Sequence, residues 1–566
     1  MSWLRAPRPV VPEAADPDVV SPSAPNRAWK EAGLVFLCGA WVLLGLFGRD
    51  PWKTEDAIGF AVAWEMVQRH DFLVPHVAQE PALHVAPLVP WLAAATLSWL
   101  APPFDPPDAG RIAVGVLLVL LLAFTGMAAR ELSGRSMRWV PILIVVGTVG
   151  LFERAHQLSG ELGLTVAVAA ALYGAALALR RPVAGGAALG LAAGAAFLAS
   201  GTIGLAWTLV PALVLPAFGA AWRSRAHAAT FAAALAVAIP VAAAWPWALH
   251  ARSPALFEAW TAAERLSAWL PFLPGSVPIE PSWIARNLLW VAWPALPLVL
   301  WMLWIRGRGF NGGLREPGIV VPAAWSAVLL LSIALLPDPR VIQTMPIAAP
   351  LAILAAHEVD SLKRGQSAAL DWFGILTFGL AAIVLWGFWI DAYVNGMSPR
   401  LAMLLRDSET GHGVSFNLRA VLAALALTLL WIVLVRPARR SNRRAILNWA
   451  AGMTLIWGLI ATIWMPYVNA RRTYEAVAQG IAHAVAPGAC IERRDVGLAQ
   501  RAAFYYFSGI VTVPDASPRS ADCDALLVQY GRLADGPPAL PGYAIAWQGG
   551  RRGDDGERFV LYRKGR

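Results

Sequence analysis

The sequence predicts a mostly α-helical, polytopic membrane protein that ends in a small α/β domain. Three observations carry that reading. The 566 residues are 58% hydrophobic and only 14% charged, where an ordinary soluble domain has roughly a quarter of its residues charged. Long apolar runs recur along the chain, with the basic residues in short clusters between them. From about Asn469 those runs shorten to strand length. The 46 Lys and Arg exceed the 36 Asp and Glu by ten, but the spacing of the clusters follows the positive-inside rule. The excess therefore reads as membrane topology and not as affinity for nucleic acid. The aliphatic content excludes a disordered chain, and three cysteines exclude a disulfide-stapled miniprotein.

Residues 1–28, rich in Pro and Ala and carrying Arg5, Arg8 and Arg27, read as a cytoplasmic tail leading into an uncleaved first span. A membrane helix needs about 20 mostly apolar residues, and about thirteen runs qualify or nearly qualify. They lie near 31–48, 110–129, 139–153, 161–179, 183–200, 203–221, 227–249, 283–305, 319–336, 341–357, 370–390, 416–435 and 446–467. This count puts every basic cluster on one side: Arg130, Arg135 and Arg138; Arg180 and Arg181; Arg223 and Arg225; Arg306, Arg308 and Arg315; Lys363 and Arg364; Arg436, Arg439, Arg440, Arg443 and Arg444. An odd number of spans sends the C-terminus to the opposite face, the periplasm if the membrane is a bacterial inner membrane. Three outward segments, 49–108, 251–282 and 391–415, are too long to be turns and are the expected seat of function.

The membrane domain is then 29–468 and the outer α/β domain 469–566. Strand-length runs lie at Cys490-Ile491, Ile510 to Val513, Ala525 to Gln529 and Arg558 to Tyr562, and residues 474–485 have helical spacing. In an oxidising compartment Cys490 and Cys523 either pair or stand as two thiols at strand starts; the sequence leaves both open.

The first outward segment holds the chemistry. Trp52-Lys53-Thr54-Glu55-Asp56 places two adjacent carboxylates just beyond a span, a natural place for a general base. The plainer reading is that Thr54 caps a helix whose dipole Glu55 and Asp56 complement. The helix that follows, with Ile58, Val62, Trp64 and Met66, and a second over 88–100 with Trp91 and Trp99, have the amphipathic pattern of elements lying in the headgroup layer or covering the bundle. His70, His76, His84 and His250 lack metal-ligand spacing, so no metal is expected; the alternative is a divalent cation held by two of them with Glu55 or Asp56. The glycines fall inside apolar runs, and no phosphate-cradling loop for a nucleotide sugar is present.

Glu55-Asp56, Trp64-Glu65-Met66, Asp71-Phe72-Leu73-Val74-Pro75 and Ala86-Pro87-Leu88 ahead of Trp91 run in an order that resembles the protein O-mannosyltransferase and lipid A aminoarabinose transferase family, GT-C membrane glycosyltransferases that use polyprenyl-phosphate-linked sugars. Pro246-Trp247-Ala248-Leu249-His250 with Glu264-Arg265, and Asp338-Pro339-Arg340 with Met345-Pro346, extend it. The resemblance implies that Glu55, with Asp56 beside it, stands where the family has its catalytic carboxylate, usually Asp, and that Glu161 stands at its second acidic position. The plainer reading of Glu161 is a helix N-terminal charge. Where many members carry a phosphate-holding Lys this chain has Ala86, so the carrier phosphate must meet Arg340, Arg265, Arg252 or Lys53, with His84 nearby and Arg340 foremost. The implied function is transfer of a sugar from a polyprenyl-phosphate donor to lipid A or another envelope lipid or glycan, with inversion. The alternative is a flippase or an inactive binder of the same lipid-linked sugars. The expected partners are the lipid-linked sugar, its acceptor and membrane lipids, and no nucleic acid.

Overall fold

A computed structural model describes residues 24–219, 222–264, 281–310, 313–336, 339–405, 416–436, 441–486, 488–531, 536–554 and 556–564. Among them, eight helices are long and apolar enough to cross a membrane, and the number rises to ten if two bent pairs, Arg135–Val146 with Val149–His156 and Ser282–Val291 with Ala295–Gly307, each count as one span. The expected thirteen exceeds this at three places. Ala24–Leu43 begins with Arg27, Lys30 and Glu31, which dilute its apolar stretch. Val341–Ala356 is a shorter apolar helix, below the length that bridges the roughly 30 Å hydrocarbon layer. The expected spans 183–200 and 203–221 form one helical run, Pro182–Phe218, broken at Ser200 and Gly201.

That break is a reversal. Gly201 has φ +64, and a Cβ on Gly204 would stand 2.1 Å from the Ala196 carbonyl oxygen. Positions eight apart in a straight helix are separated by about 12 Å, so the run is a hairpin of two helices. Its boundary falls where the sequence divides the two apolar runs.

The basic clusters meet at one end of the bundle. Arg443 bonds Asp360 and the Ser136 carbonyl, Arg306 bonds Glu358 and Glu316, Arg138 pairs with Glu31 and Arg180 with Glu131. Side chains such as Leu380, Ile383, Leu429 and Val433 remain exposed, as helices that meet lipid require. Trp325 is fully buried.

The C-terminal segment forms a five-stranded sheet in the order Thr512–Pro514, Ile491–Arg494, Ala525–Tyr530, Arg558–Lys564, Tyr543–Gly549. The first three strands are parallel and the last two join antiparallel. Helices Glu475–Ala484 and Leu498–Ser508 accompany it, and Tyr474, Phe504 and Phe559 pack together beneath it. Cys490 and Cys523 are paired, with Cα atoms 4.6 Å apart and a separation of 33 positions in sequence. Closing a loop of that length stabilises by about 3–4 kcal/mol. The Cys490→Ala, Cys523→Ala double variant is therefore expected to become protease-sensitive within 469–566 in limited proteolysis, while the bundle's fragments remain unchanged.

Helix Glu55–Arg69 turns its apolar side chains to protein and not to lipid. Ala57, Gly59, Phe60, Ala61, Val62, Ala63 and Met66 are all buried, because the bundle covers one side and the C-terminal domain the other. Trp64 meets Tyr505 and Tyr506 edge-on, and Phe60 meets Tyr506. Helix Leu88–Leu100 does keep an exposed aromatic, Trp99 at 83%.

Candidate active site

At the end of the bundle away from the basic clusters, three segments distant in sequence converge. Helix Glu55–Arg69 begins with Glu55. Helix Gly160–Ala178 carries Glu161 in its first turn and is capped by Ser159, whose hydroxyl accepts the Leu162 N–H at 3.2 Å. Arg340 precedes the 3-10 turn Val341–Ile347, and its backbone N–H is held by the Gln343 side chain at 2.8 Å. The Arg340 guanidinium donates to Glu55 Oε1 at 2.5 Å and lies 3.5 Å from Glu161 Oε1. All three line a cavity of about 230 Å³ whose walls include His84, Ala86, Ser200 and Glu264.

Asp56 does not face this cavity. Its carboxylate is fully buried and accepts from Arg49 Nη1 at 2.9 Å, Arg111 Nη2 at 3.1 Å, Trp52 N at 3.3 Å and Leu158 N at 2.9 Å. Burial pushes its pKa up, but the Arg111 and Arg49 guanidinium groups outweigh that and hold it below the usual carboxylate range. Burial, reinforced by Arg111, pushes Arg49 down to about 10, with Asp56 opposing. The reason for the separation is helical geometry: adjacent residues point about 100° apart around the axis, so one acid faces the opening and its neighbour the interior. Arg49 also donates to the His156 carbonyl at 2.6 Å, and a Cβ on Gly59 would stand 2.1 Å from the Leu158 carbonyl oxygen. Together these contacts seat the segment ahead of Glu161 directly against the first turns of the Glu55 helix.

The other expected site residues divide as follows. His84 lines the cavity, and burial holds its imidazole below the usual value despite the nearby Glu55 carboxylate. Lys53 lies elsewhere, donating to Glu557 Oε1 of the C-terminal domain at 2.9 Å, so this cation is already paired. Arg252 is exposed, 3.8 Å from Asp71. Arg265 and Asp338 lie outside the described residues. Among the described lining residues Arg340 is the one arginine or lysine. Sequence reasoning passed over Glu264, quoted only as the neighbour of Arg265; its carboxylate accepts from Thr202 N at 3.2 Å and Thr202 Oγ1 at 3.1 Å. The available signal was the Gly201 hairpin turn that this acid caps. Among the described residues no group of three or more His, Cys, Asp or Glu has metal-holding geometry.

No family model matches the chain. Two curated relatives are undecaprenyl phosphate-alpha-4-amino-4-deoxy-L-arabinose arabinosyl transferases. One, from Pseudomonas aeruginosa, is 31% identical over 282 residues, 49% of this chain and 46% of the relative. The other, from Pseudomonas fluorescens, is 27% identical over 267 residues, 44% and 45%. The chain thus spans about half the length of the curated relatives it matches. Over nearly its whole length it superposes on the crystal structure of ArnT from Cupriavidus metallidurans bound to undecaprenyl phosphate, with TM-score 0.63, 14% identity and coverage of 94% of this chain and 98% of that one. The chain has the GT-C fold of ArnT.

In this GT-C fold the C-terminal domain helps to hold the cavity wall. The hairpin His76–Val77 and Glu80–Pro81 leads into His84 and Ala86. Glu80 is gripped by Arg493 at 2.7 and 2.8 Å and by Arg501 at 2.5 Å. Burial raises the Glu80 pKa, but these two arginines outweigh it and lower it. From below, Glu65 Oε2 accepts the Gln79 N–H at 3.0 Å.

Proposed function

We propose that the chain is an integral membrane glycosyltransferase that moves a sugar from a polyprenyl-phosphate donor to lipid A or another envelope acceptor on the outer face of a bacterial inner membrane. The observation that carries this reading is the convergence of Glu55, Glu161 and Arg340 on one cavity, at the end opposite the basic clusters. By the positive-inside rule that end is outward, with the N-terminus cytoplasmic and the C-terminus periplasmic.

Arg340 presents a planar fork suited to a phosphate. That fork is shared by two carboxylates, Glu55 and Glu161. A donor phosphate taking their place would leave Glu55 without its counter-ion and free to act as base. Glu55 then accepts the proton of the acceptor hydroxyl as its oxygen bonds to the anomeric carbon. The bond from that carbon to the phosphate oxygen breaks, and the carrier leaves as polyprenyl phosphate with its charge on Arg340. One displacement inverts the anomeric centre. Asp56 serves as a positioning residue, since it holds Leu158 and so Glu161 in place. The relatives' donor carries an amino sugar, and among the described lining residues three carboxylates, Glu55, Glu161 and Glu264, outnumber the one guanidinium, an excess that suits an ammonium group.

The test is reconstitution in vesicles with radiolabelled polyprenyl-phosphate sugar and lipid A. Label moving onto the acceptor is expected; label that crosses the bilayer untransferred would replace the reading with a flippase. Arg340→Ala is expected to raise the donor KM by roughly 10–100-fold, the loss of charge-assisted bonds to a phosphate. Arg340→Lys should restore only part of it, since a point charge cannot reproduce the fork.

A further inference from the structure

The basic end of the bundle has an opening of its own. A cleft of about 360 Å³ lies between helices Ala295–Gly307 and Arg364–Val394, lined by Trp293, Pro297, Trp301, Trp304, Leu362 and Leu370 among others. Trp301 Nε1 donates to Ser361 Oγ at 3.1 Å, which ties the helix wall to the segment ahead of the second helix. From Ala295, where the helix begins, to Trp304 the helical rise is roughly 14 Å, about one leaflet of the hydrocarbon layer.

Cations gather at the mouth of this cleft. The Arg308 guanidinium lies 3.8 Å from the centre of the Trp304 ring, and Lys363 and Arg364 directly follow the lining residue Leu362. All three are exposed. The acids nearby are engaged elsewhere: Glu358 and Glu316 with Arg306 at 2.5 and 2.9 Å, and Asp360 with Arg443 at 2.6 Å. Among the described residues, then, an apolar cleft of leaflet depth ends in three positive charges that no carboxylate neutralises.

We propose that this cleft binds an anionic phospholipid, an acyl chain lying along Trp293, Pro297 and Trp301 and the phosphate meeting Arg308, Lys363 and Arg364. Tryptophan walls suit a chain near the interface, and a basic opening between helices at a membrane face selects lipids of negative charge. The proposal stands apart from the transferase reading, since the cavity at Glu55 is at the other end of the bundle.

Native mass spectrometry of the purified full-length chain, incubated with equal amounts of phosphatidylglycerol and phosphatidylcholine of the same acyl chains, tests it. The expected result is retention of phosphatidylglycerol over phosphatidylcholine by roughly tenfold or more. The Arg308→Gln, Lys363→Gln, Arg364→Gln variant should lose that preference, and Leu370→Trp, which fills the cleft, should lose retention of both lipids while keeping its Tm. Equal retention by the unaltered protein, or an unchanged preference in the triple variant, overturns the proposal. Displacement of phosphatidylglycerol by an equal amount of polyprenyl phosphate would also overturn it, assigning the cleft to the carrier.

Discussion

Glu55→Gln is expected to lower transfer by roughly 10²–10⁴-fold, the range that a positioned general base supplies, with little change in donor affinity or Tm. The side chain sits at the cavity, about a fifth exposed, so the amide fits where the carboxylate was. Donor binding loses nothing, because Arg340 no longer has a charged competitor in Glu55. Glu55→Asp should retain part of the activity, since it keeps the carboxylate and shortens its reach by one methylene. Single-turnover transfer together with donor titration separates the two quantities. A Glu55→Gln enzyme that transfers at the unaltered rate would remove Glu55 from the mechanism, and Glu161 would be the next acid to test.

Asp56→Asn is expected to fail differently, by loss of the folded state. It leaves two buried guanidinium groups, Arg49 and Arg111, without the charge they enclose, and breaking a buried ion pair on one side costs about 3–5 kcal/mol. Tm should fall markedly, and whatever fraction remains folded should still bind donor. The pH dependence has a definite sign. The folded pKa of Asp56 is lowered below an unfolded value near 3.9, so its contribution is present in full above about pH 4. It is lost progressively as the pH falls from there toward the still lower folded value, below which none of it remains. Thermal unfolding from pH 7 to 4 should therefore show no loss traceable to Asp56, with the loss setting in below that range. If Asp56→Asn instead keeps its Tm and loses turnover, Asp56 is the base.

The two outcomes separate residues that are neighbours in sequence, and they mark where sequence reading stops. The strand runs at 525–529 and 558–562 were legible because a short continuous apolar run bounded by polar residues is a local pattern. Strand Tyr543–Gly549 was not, because it is an edge strand with a bulge between Ile545 and Trp547 and has largely exposed side chains. Helix Leu498–Ser508 was missed for a related reason: its Tyr505 and Tyr506 face another domain, so its apolar pattern answers to a surface the local sequence does not contain. The helix at 55–69 was legible as a helix, but its location was not. An amphipathic pattern says that one face wants cover without saying whether lipid or protein supplies it.

By itself the sequence determined the membrane class, the gathering of the basic clusters at one end of the bundle, the division at 200–203 and the C-terminal α/β segment. Each depends on composition or periodicity over a few tens of residues. Only the tertiary structure decided which acid meets Arg340, that Lys53 is spent on Glu557, and that Cys490 lies beside Cys523. Those are distances between segments up to hundreds of residues apart. They follow from which face of each helix turns inward when the whole chain packs, and no local pattern encodes that angle.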